Sequence, residues 1–336
     1  MNDHDPLSDV LRSVRLRGAV FYYVSLRDRW VADAPAAREL APAVMPGAEH
    51  VIEYHLMAKG QGFAQIAGVE PVPLDAGDIV MFPQGDAHVL SSAPGMRARQ
   101  DDADWIFATR HDPKPIPVTF HDGVVQPGAP VPVDEARNIL ICGFIGCDLR
   151  PFNPLIAALP RLLHLRAEGV GDWVRSVLHQ AVSESRERRP GSDAVLERVS
   201  EMLFVDAARR HLEGLPDDAS GWLAGLRDRF VGKALGALHE RPAFAWTLED
   251  LGREVGLSRS ALHERFVRFV GRAPMQYLAD WRMQLGAQLL RTSHATVAAI
   301  AQDVGYDSEP AFARAFKRAT GLPPATWRRS QMQPAR

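Results

Sequence analysis

A chain of 336 residues, 46% apolar and 24% charged, is long enough for two or three domains that each bury a core. No apolar run approaches the ~20 residues that span a bilayer. The start, "MNDHDPLSDV", is acidic and polar, and there are only two cysteines. A membrane span, a secretory signal and a disulfide framework are therefore not expected, and a cytoplasmic protein is. The net charge of −2 hides an asymmetry: 14 Lys/Arg against 8 Asp/Glu from Arg241 onward, and 25 against 33 before it. A basic C-terminal third on an acidic body is the pattern of a polyanion-binding module.

In chain order, Leu7, Val10, Leu11 and Val14 share one helical face within Asp5–Leu16. Short β-forming runs follow: "GAVFYYVSL", "HVIEYHLMAKG", "GFAQIAG", "GDIVMFP", "AHVLSS", "WIFATR" and "RNILICGF". Such a series, punctuated by Gly and Pro, predicts an antiparallel sandwich or barrel. The proline-rich stretch from Pro113 to Pro132 reads as irregular. After Pro154 the period becomes helical in "LIAALPRLLHL", "DWVRSVLHQAVSES", "DAVLERVSEMLFVDAARRHLEG" and "GWLAGLRDRFVGKALGALHE". Leu196, Val199, Met202, Leu203 and Ala207 form a long apolar stripe. It reads either as intrachain core or as the seam of a homodimer.

The basic third contains an internal repeat. Leu248, Leu251 and Val255 match Val297, Ile300 and Val304 at an offset of 49. Ser258, Leu262, Phe266, Gly271, Pro274 and Tyr277 match Ser308, Phe312, Phe316, Gly321, Pro324 and Trp327 at an offset of 50. In each copy a short helix ends at a glycine suited to a left-handed turn, Gly256 or Gly305. A serine then caps a second helix with an apolar face at i, i+4 and a polar face opposite. This is a helix-turn-helix, twice, with "APMQYLADWRMQLGAQLLRTS" as a helical spacer. Two such copies can enter successive major grooves of double-stranded DNA, about 34 Å apart.

The region resembles the DNA-binding domain of the AraC/XylS family of bacterial transcription regulators. "IAQDVGYDSEPAFARAFKRATGLPPATWR" follows that family's signature, and the match covers roughly the last hundred residues. The resemblance implies recognition helices at Ser258–Val270 and Ser308–Thr320. Ser260, His263 and Glu264, then Glu309, Pro310, Ala313 and Arg314, stand where the family reads bases. Pro310 and Ala313 offer little to read with, which leaves Arg314 as the reader of the second helix. Arg259, Arg268, Lys317 and Arg318 are assigned to phosphates, which position without specifying.

"GDIVMFPQGDAHVL" reads as strand, turn and strand, with His88 after the turn. Gly77, Pro83, Gly85 and His88 fit the second cupin motif, although its usual asparagine is Ser92 here. Glu53 stands seven residues before Gly60, as the cupin metal-binding glutamate does, and His55 shares its strand face. The motif's H-x-H pair is missing, with only His50 nearby. Residues 5–165 resemble the cupin-type sensor half of a subset of AraC-family regulators, some of which respond to reactive chlorine species. Imidazole and carboxylate suit zinc or another divalent metal, so Glu53, His55 and His88 form a candidate metal set. His55, His88, Cys142 and Cys147 are the candidate sensor pocket. The cysteines read as core residues or as a C-x4-C redox pair.

The expected fold is α+β. It has a cupin-like antiparallel β-barrel as sensor (1–150), a helical connector with a dimerisation option (151–235) and an all-α double helix-turn-helix (236–336). The expected function is a transcription regulator, an activator by family habit, that binds promoter DNA, works with RNA polymerase and answers a small-molecule or oxidant effector. The alternative from another class is a metal-dependent cupin enzyme fused to a DNA-binding tail.

Overall fold

The computed structural model describes residues 4–27, 29–98, 104–112, 114–121, 124–128, 136–169, 176, 180–184, 187 and 189–332. The chain divides into two units, each drawn from separated stretches. One comprises Leu16–Cys147 and Leu159–His211; the other comprises Met1–Arg15, Asp148–Ala158 and Leu212–Arg336. This division cuts across the three consecutive segments expected from sequence.

The first unit is built on two sheets. A seven-stranded sheet has the order β11 (Leu163–Leu165), β6 (Ile79–Phe82), β3 (His50–Lys59), β10 (Asn138–Cys147), β1 (Arg17–Leu26), β8 (Ile116–His121) and β9 (Val124–Pro127). A four-stranded sheet has the order β2 (Val31–Ala34), β7 (His88–Ser91), β4 (Gln61–Ile66) and β5 (Val72–Asp75). Strands β3 and β10 alternate from Leu140 onward, past a register shift at Ile139. Glu53, His55, Cys142 and Phe144 face inward, while Tyr54 faces out and shares a 2.6 Å hydroxyl hydrogen bond with Ser200. Ser200 belongs to a helix, Ser192–Glu213, that covers this outer face, and Gly18 is small because Glu197 and Ser200 lie against it.

Four expectations are corrected. "WIFATR" forms a helix, α3 (Asp104–Ala108), after α1 (Pro6–Ser13) and α2 (Ala37–Val44). Its apolar run is short enough to fit either period, and the helix turns Ile106 inward while leaving Phe107 exposed. The stretch from Pro113 to Pro132 contains β8 and β9, because Ile116, Val118 and Phe120 alternate into the core. The sheets are not wholly antiparallel, since β8 runs parallel to β1. "LIAALPRLLHL" splits into α4 (Pro154–Ala158) and β11, as Pro160 disfavours helix in the residue before it. Most of "DWVRSVLHQAVSES" lies outside the described residues.

The apolar stripe belongs to α5 (Ser192–Glu213). Leu196, Val199, Leu203 and Ala207 are buried within the chain, while Met202 is 45% exposed. The four buried positions are core, so the stripe does not supply the free seam that a dimer would need.

In the second unit α6 (Trp222–Arg227) and α7 (Arg229–Glu240) lead into the repeat. The first copy is α8 (Leu248–Val255) and α9 (Arg259–Val270); α10 (Pro274–Thr292) is the spacer; the second copy is α11 (Val297–Asp303) and α12 (Glu309–Thr320), with α13 (Pro324–Met332) following. Ser258 and Ser308 cap α9 and α12 by accepting from the amides of Ala261 and Ala311. Gly256 and Gly305 turn the chain at φ of 80° and 84°, where a side chain would be strained. Leu262 and Phe266, then Phe312 and Phe316, are each fully buried.

Helix α1 belongs to this second unit, where it packs against α7 and α10. Asp5 caps it, and Val10 is fully buried. Nothing in its local sequence specifies that partner.

Candidate functional site

The sharp chain reversal after β6 carries the polypeptide from one sheet to the other. Gly85 sits at φ 69°, and an added Cβ would lie 2.9 Å from that of Ala37. Only glycine serves there. The reversal places His88 at the start of β7, opposite His55 of β3. The two Nε2 atoms are 2.7 Å apart, and Glu53 Oε2 lies 3.9 Å from His88 Nε2. The ring of Phe82 stacks on His88 at 3.6 Å between centroids.

All three side chains are buried. Burial raises the Glu53 carboxyl well above its ordinary range. Burial, and secondarily His88, holds His55 well below the usual histidine range; burial lowers His88 to about 4. A neutral His88 fixes the proton order. Its Nδ1–H donates to the Asp86 carbonyl at 2.9 Å, so Nε2 is unprotonated and accepts from His55 Nε2–H at 2.7 Å. An Nδ1–H held by a carbonyl is the arrangement a metal-ligating histidine shows. Within this group Glu53 Oε1 and His55 Nδ1 have no protein hydrogen-bond partner. The donor set and the orphaned carboxyl oxygen fit a metal ion, and ligand atoms of the three residues lie within 4.8 Å of one another. His50 does not join them, since its Nε2 pairs with the Pro83 carbonyl at 2.7 Å.

Glu53 and His55 also line a cavity of about 50 Å³. Its other walls include Tyr22, Phe120, Cys142 and Phe144, and α3 brings Trp105 and Ile106 across it. Cys142 pairs in register with His55 across β10 and β3. Burial, then Glu53, pushes its thiol up, so it is not a thiolate. Cys147 does not line the cavity. The two cysteines stand five residues apart on the extended strand β10, about 17 Å, far beyond the ~7 Å limit for a disulfide. The C-x4-C redox-pair reading therefore fails on geometry.

In the second unit, Arg259, Ser260, His263, Glu264 and Arg268 of α9 are exposed. So are Glu309, Pro310, Arg314, Lys317 and Arg318 of α12, with Ala313 half-buried. Arg259 pairs with Glu249 at 3.0 Å. Sequence reasoning missed Arg265, also on α9. It grips the carboxylate of Asp228 through Nε at 2.9 and 3.0 Å, while Asp228 caps α7. An aspartate directly before a helical run was a legible cap signal.

It also missed the fastenings of α10. Gln284, fully buried, donates to the Ser13 carbonyl and accepts from the Phe152 amide, both at 3.1 Å. Arg291 donates to Ser13 at 2.9 Å and pairs with Asp148 at 3.2 Å, and Arg15 pairs with the same carboxylate at 2.9 Å. A directed chain runs alongside. Trp222 Nε1–H donates to the Tyr277 hydroxyl, which donates to His239 Nε2, whose Nδ1–H donates to Asp9. Burial lowers the His239 imidazole below the usual histidine range, the direction that order requires.

Comparison with known proteins finds a counterpart for each kind of fold in the chain. A cupin family model matches residues 5–213, and a helix-turn-helix domain model matches residues 251–330. An AraC-like transcription regulator of Streptomyces lividans is 32% identical, over 98% of this chain and 100% of its own. The transcriptional regulator AlkR of Acinetobacter baylyi is 29% identical, over 94% of this chain and 95% of its own. The RCS-specific transcriptional activator RclR of Escherichia coli K12 is 25% identical, over 83% of this chain and 84% of its own. With a cupin half, a helix-turn-helix half and a relative 32% identical over 98% of this chain, this chain belongs to the family of AraC-like, DNA-binding transcription regulators.

Proposed function

We propose that the chain is a cytoplasmic, sequence-specific activator whose affinity for promoter DNA is set by what occupies the barrel. The observation that carries this is the Glu53–His55–His88 group. It is buried, and it keeps two polar atoms unpartnered at a cost no structural role explains. Zinc or a similar divalent ion suits two imidazoles and a carboxylate. An occupant that binds two arrangements of the chain unequally shifts the balance between them by that difference in affinity. The DNA side is carried by α9 and α12. There Ser260, His263, Glu264, Glu309 and Arg314 read bases, and Arg259, Arg268, Lys317 and Arg318 hold phosphates. Recruitment of RNA polymerase follows from the activator reading. The barrel acts here as a sensor and not as a catalyst.

The test is DNA affinity with and without zinc, on a duplex selected from a random pool by the full-length protein. Wild type is expected to take up one zinc per chain and to change its affinity. His55→Ala and His88→Ala are expected to lose both the zinc and the change. Variants that still respond as wild type does would refute the sensor assignment.

A further inference from the structure

The two helix-turn-helix copies share the spacer α10 but pack on different parts of it. Tyr277, in its first half, meets Phe266 of α9 with ring centroids 5.8 Å apart. Further along, Met283, Ala287 and Leu290 join Phe312 and Phe316 in the core of the second copy. Gly286 leaves room there for the Phe312 ring, which would lie 2.8 Å from an added Cβ. Arg282 stands at the changeover. Among the described residues, the helices of the two copies pack on α10 and not broadly on each other. Helix packing angles scatter by about 15–20° between examples, so packing on α10 does not by itself fix one copy against the other.

A turn ties the copies directly. Between α7 and α8, residues 241–246 fold on themselves. The Trp246 indole N–H donates to the Arg241 carbonyl at 3.1 Å, and the Arg241 guanidinium lies 4.6 Å over the same ring. This turn rests on the Gly305 turn of the second copy, where an added Cβ would stand 2.7 Å from Ala243 Cα. Arg282 closes the seam. Its Nε–H donates to the Pro242 carbonyl at 2.7 Å and its Nη2–H to the Phe244 carbonyl at 2.8 Å. Its guanidinium also lies 6.0 Å from the ring centroid of Tyr306, which follows Gly305. A planar fork can hold two carbonyls at once, which a single ammonium does less well.

We propose that Arg282 is a positioning residue for DNA recognition. By tying the 241–246 turn of the first copy against the Gly305 turn of the second, it fixes the separation and phase of α9 and α12. It thereby sets the number of base pairs between the two segments that the protein reads. This rests on the reading of both α9 and α12 as DNA-reading helices. One added base pair moves the second segment by about 3.4 Å along the duplex and turns it by about 35°. Hydrogen bonds to base edges do not survive such a displacement unless the two copies move apart to follow it.

The experiment uses the full chain and the duplex it selects from a random pool, with the two read segments located by single-base variants. Affinity is then measured with one base pair inserted between the segments. Wild type is expected to lose about tenfold or more. Arg282→Met keeps the stem and removes the donors. It is expected to lose about tenfold on the selected duplex and about threefold or less on the insertion beyond that. Its choice of base within each segment and its slope of log affinity against log salt are expected to stay as in wild type. Arg282→Lys, with one donor group in place of the fork, is expected to fall between the two and decides the matter if the methionine variant folds poorly. Spin labels on Arg268→Cys and Arg318→Cys, equivalent positions of α9 and α12, give a second measure, since Cys142 and Cys147 are buried. Without DNA, the distribution of distances between the labels is expected to be narrow with Arg282 in place and broader with Arg282→Met. An insertion penalty and a distance distribution unchanged in the Arg282 variants overturn the proposal. So does a salt slope lowered by about 0.9, which would make Arg282 a phosphate contact. A wild-type chain indifferent to the insertion overturns the reading of two DNA-inserted helices, and the proposal with it.

Discussion

In the barrel unit the polar side chains of interest, Glu53, His55 and His88, are buried, with Phe82 stacked on His88. In the helical unit the corresponding side chains, His263 and Glu264 on α9 and Arg314 and Lys317 on α12, stand in solvent. The same kinds of group therefore work under opposite conditions. Out of water, an imidazole or a carboxyl is forced neutral and becomes sensitive to protons and to whatever replaces the missing hydration. In water, a guanidinium keeps its charge and acts at the range salt allows, about 8–10 Å at ordinary ionic strength. The sensing half should answer to pH and ligand, and the reading half to salt and sequence.

The largest effect expected comes from breaking one region and asking whether the other notices. Phe316 is fully buried on α12, with Phe312 at 5.4 Å and Trp327 at 5.8 Å between ring centroids. Phe316→Ala is expected to cost about 3–5 kcal/mol and to abolish tight DNA binding. Zinc uptake by the barrel is expected to persist. The measurement is urea unfolding followed separately by DNA binding and by histidine resonances. Simultaneous loss of both signals would mean that the two units unfold as one.

The two regions also differ in how far their sequence could be read. Each helix-turn-helix closes within about thirty residues, and its serine cap, glycine turn and buried i, i+4 pair are all local. The repeat showed them twice. The barrel joins distant stretches: Arg17 pairs with Gly146, and β1 takes β8 as a parallel neighbour on its other side. Strand parity was enough to put Glu53 and His55 on one face. It could not show that β6 and β7 belong to different sheets, which is what brings His88 to His55. It could not show β8 running through Pro117, or α3 where aromatic residues suggested a strand. Helix α1 is the extreme case. Its amphipathic face was plain, but its partner, His239, lies 230 residues away.

A pH series sharpens the contrast. His88 is held at about 4 in the folded chain, against about 6.5 when unfolded. Between those values the unfolded chain takes up a proton that the folded chain refuses. Stability is thus fully present above 6.5 and is lost as pH falls toward 4, by about 1.4 kcal/mol per unit and roughly 3 kcal/mol in all. His55 acts in the same direction. Glu53 opposes them: its carboxyl is raised, so the unfolded chain releases a proton first, and stability falls as pH rises above the ordinary carboxyl range. Glu53→Gln is expected to steepen the acid loss seen in unfolding midpoints, and His88→Gln to flatten it. An unchanged profile in both would show that these groups are not neutral in the fold.

On the reading side, Arg314 and Lys317 lie on the exposed face of α12, nearly one turn apart. Arg314→Ala is expected to cost ~1–3 kcal/mol at the preferred site and to relax choice at one base position, as loss of a bidentate contact to guanine does. Competition between the selected duplex and its single-base variants measures this. Equal loss on preferred and random DNA would move Arg314 to the phosphates.

Lys317 is the milder case and the complement of Arg314. It lies in the last turn of α12, three residues further on, where a cation also suits the helix C-terminus. An ammonium is a point charge without the fork geometry that reads a base edge. A phosphate contact of this kind releases a counterion and carries no sequence information. Lys317→Ala is therefore expected to weaken selected and random duplexes by the same modest factor. It should lower the slope of log affinity against log salt by about 0.9, the share of one phosphate. A variant with wild-type slope but altered base preference would place Lys317 among the readers and leave the phosphate contact to Arg318.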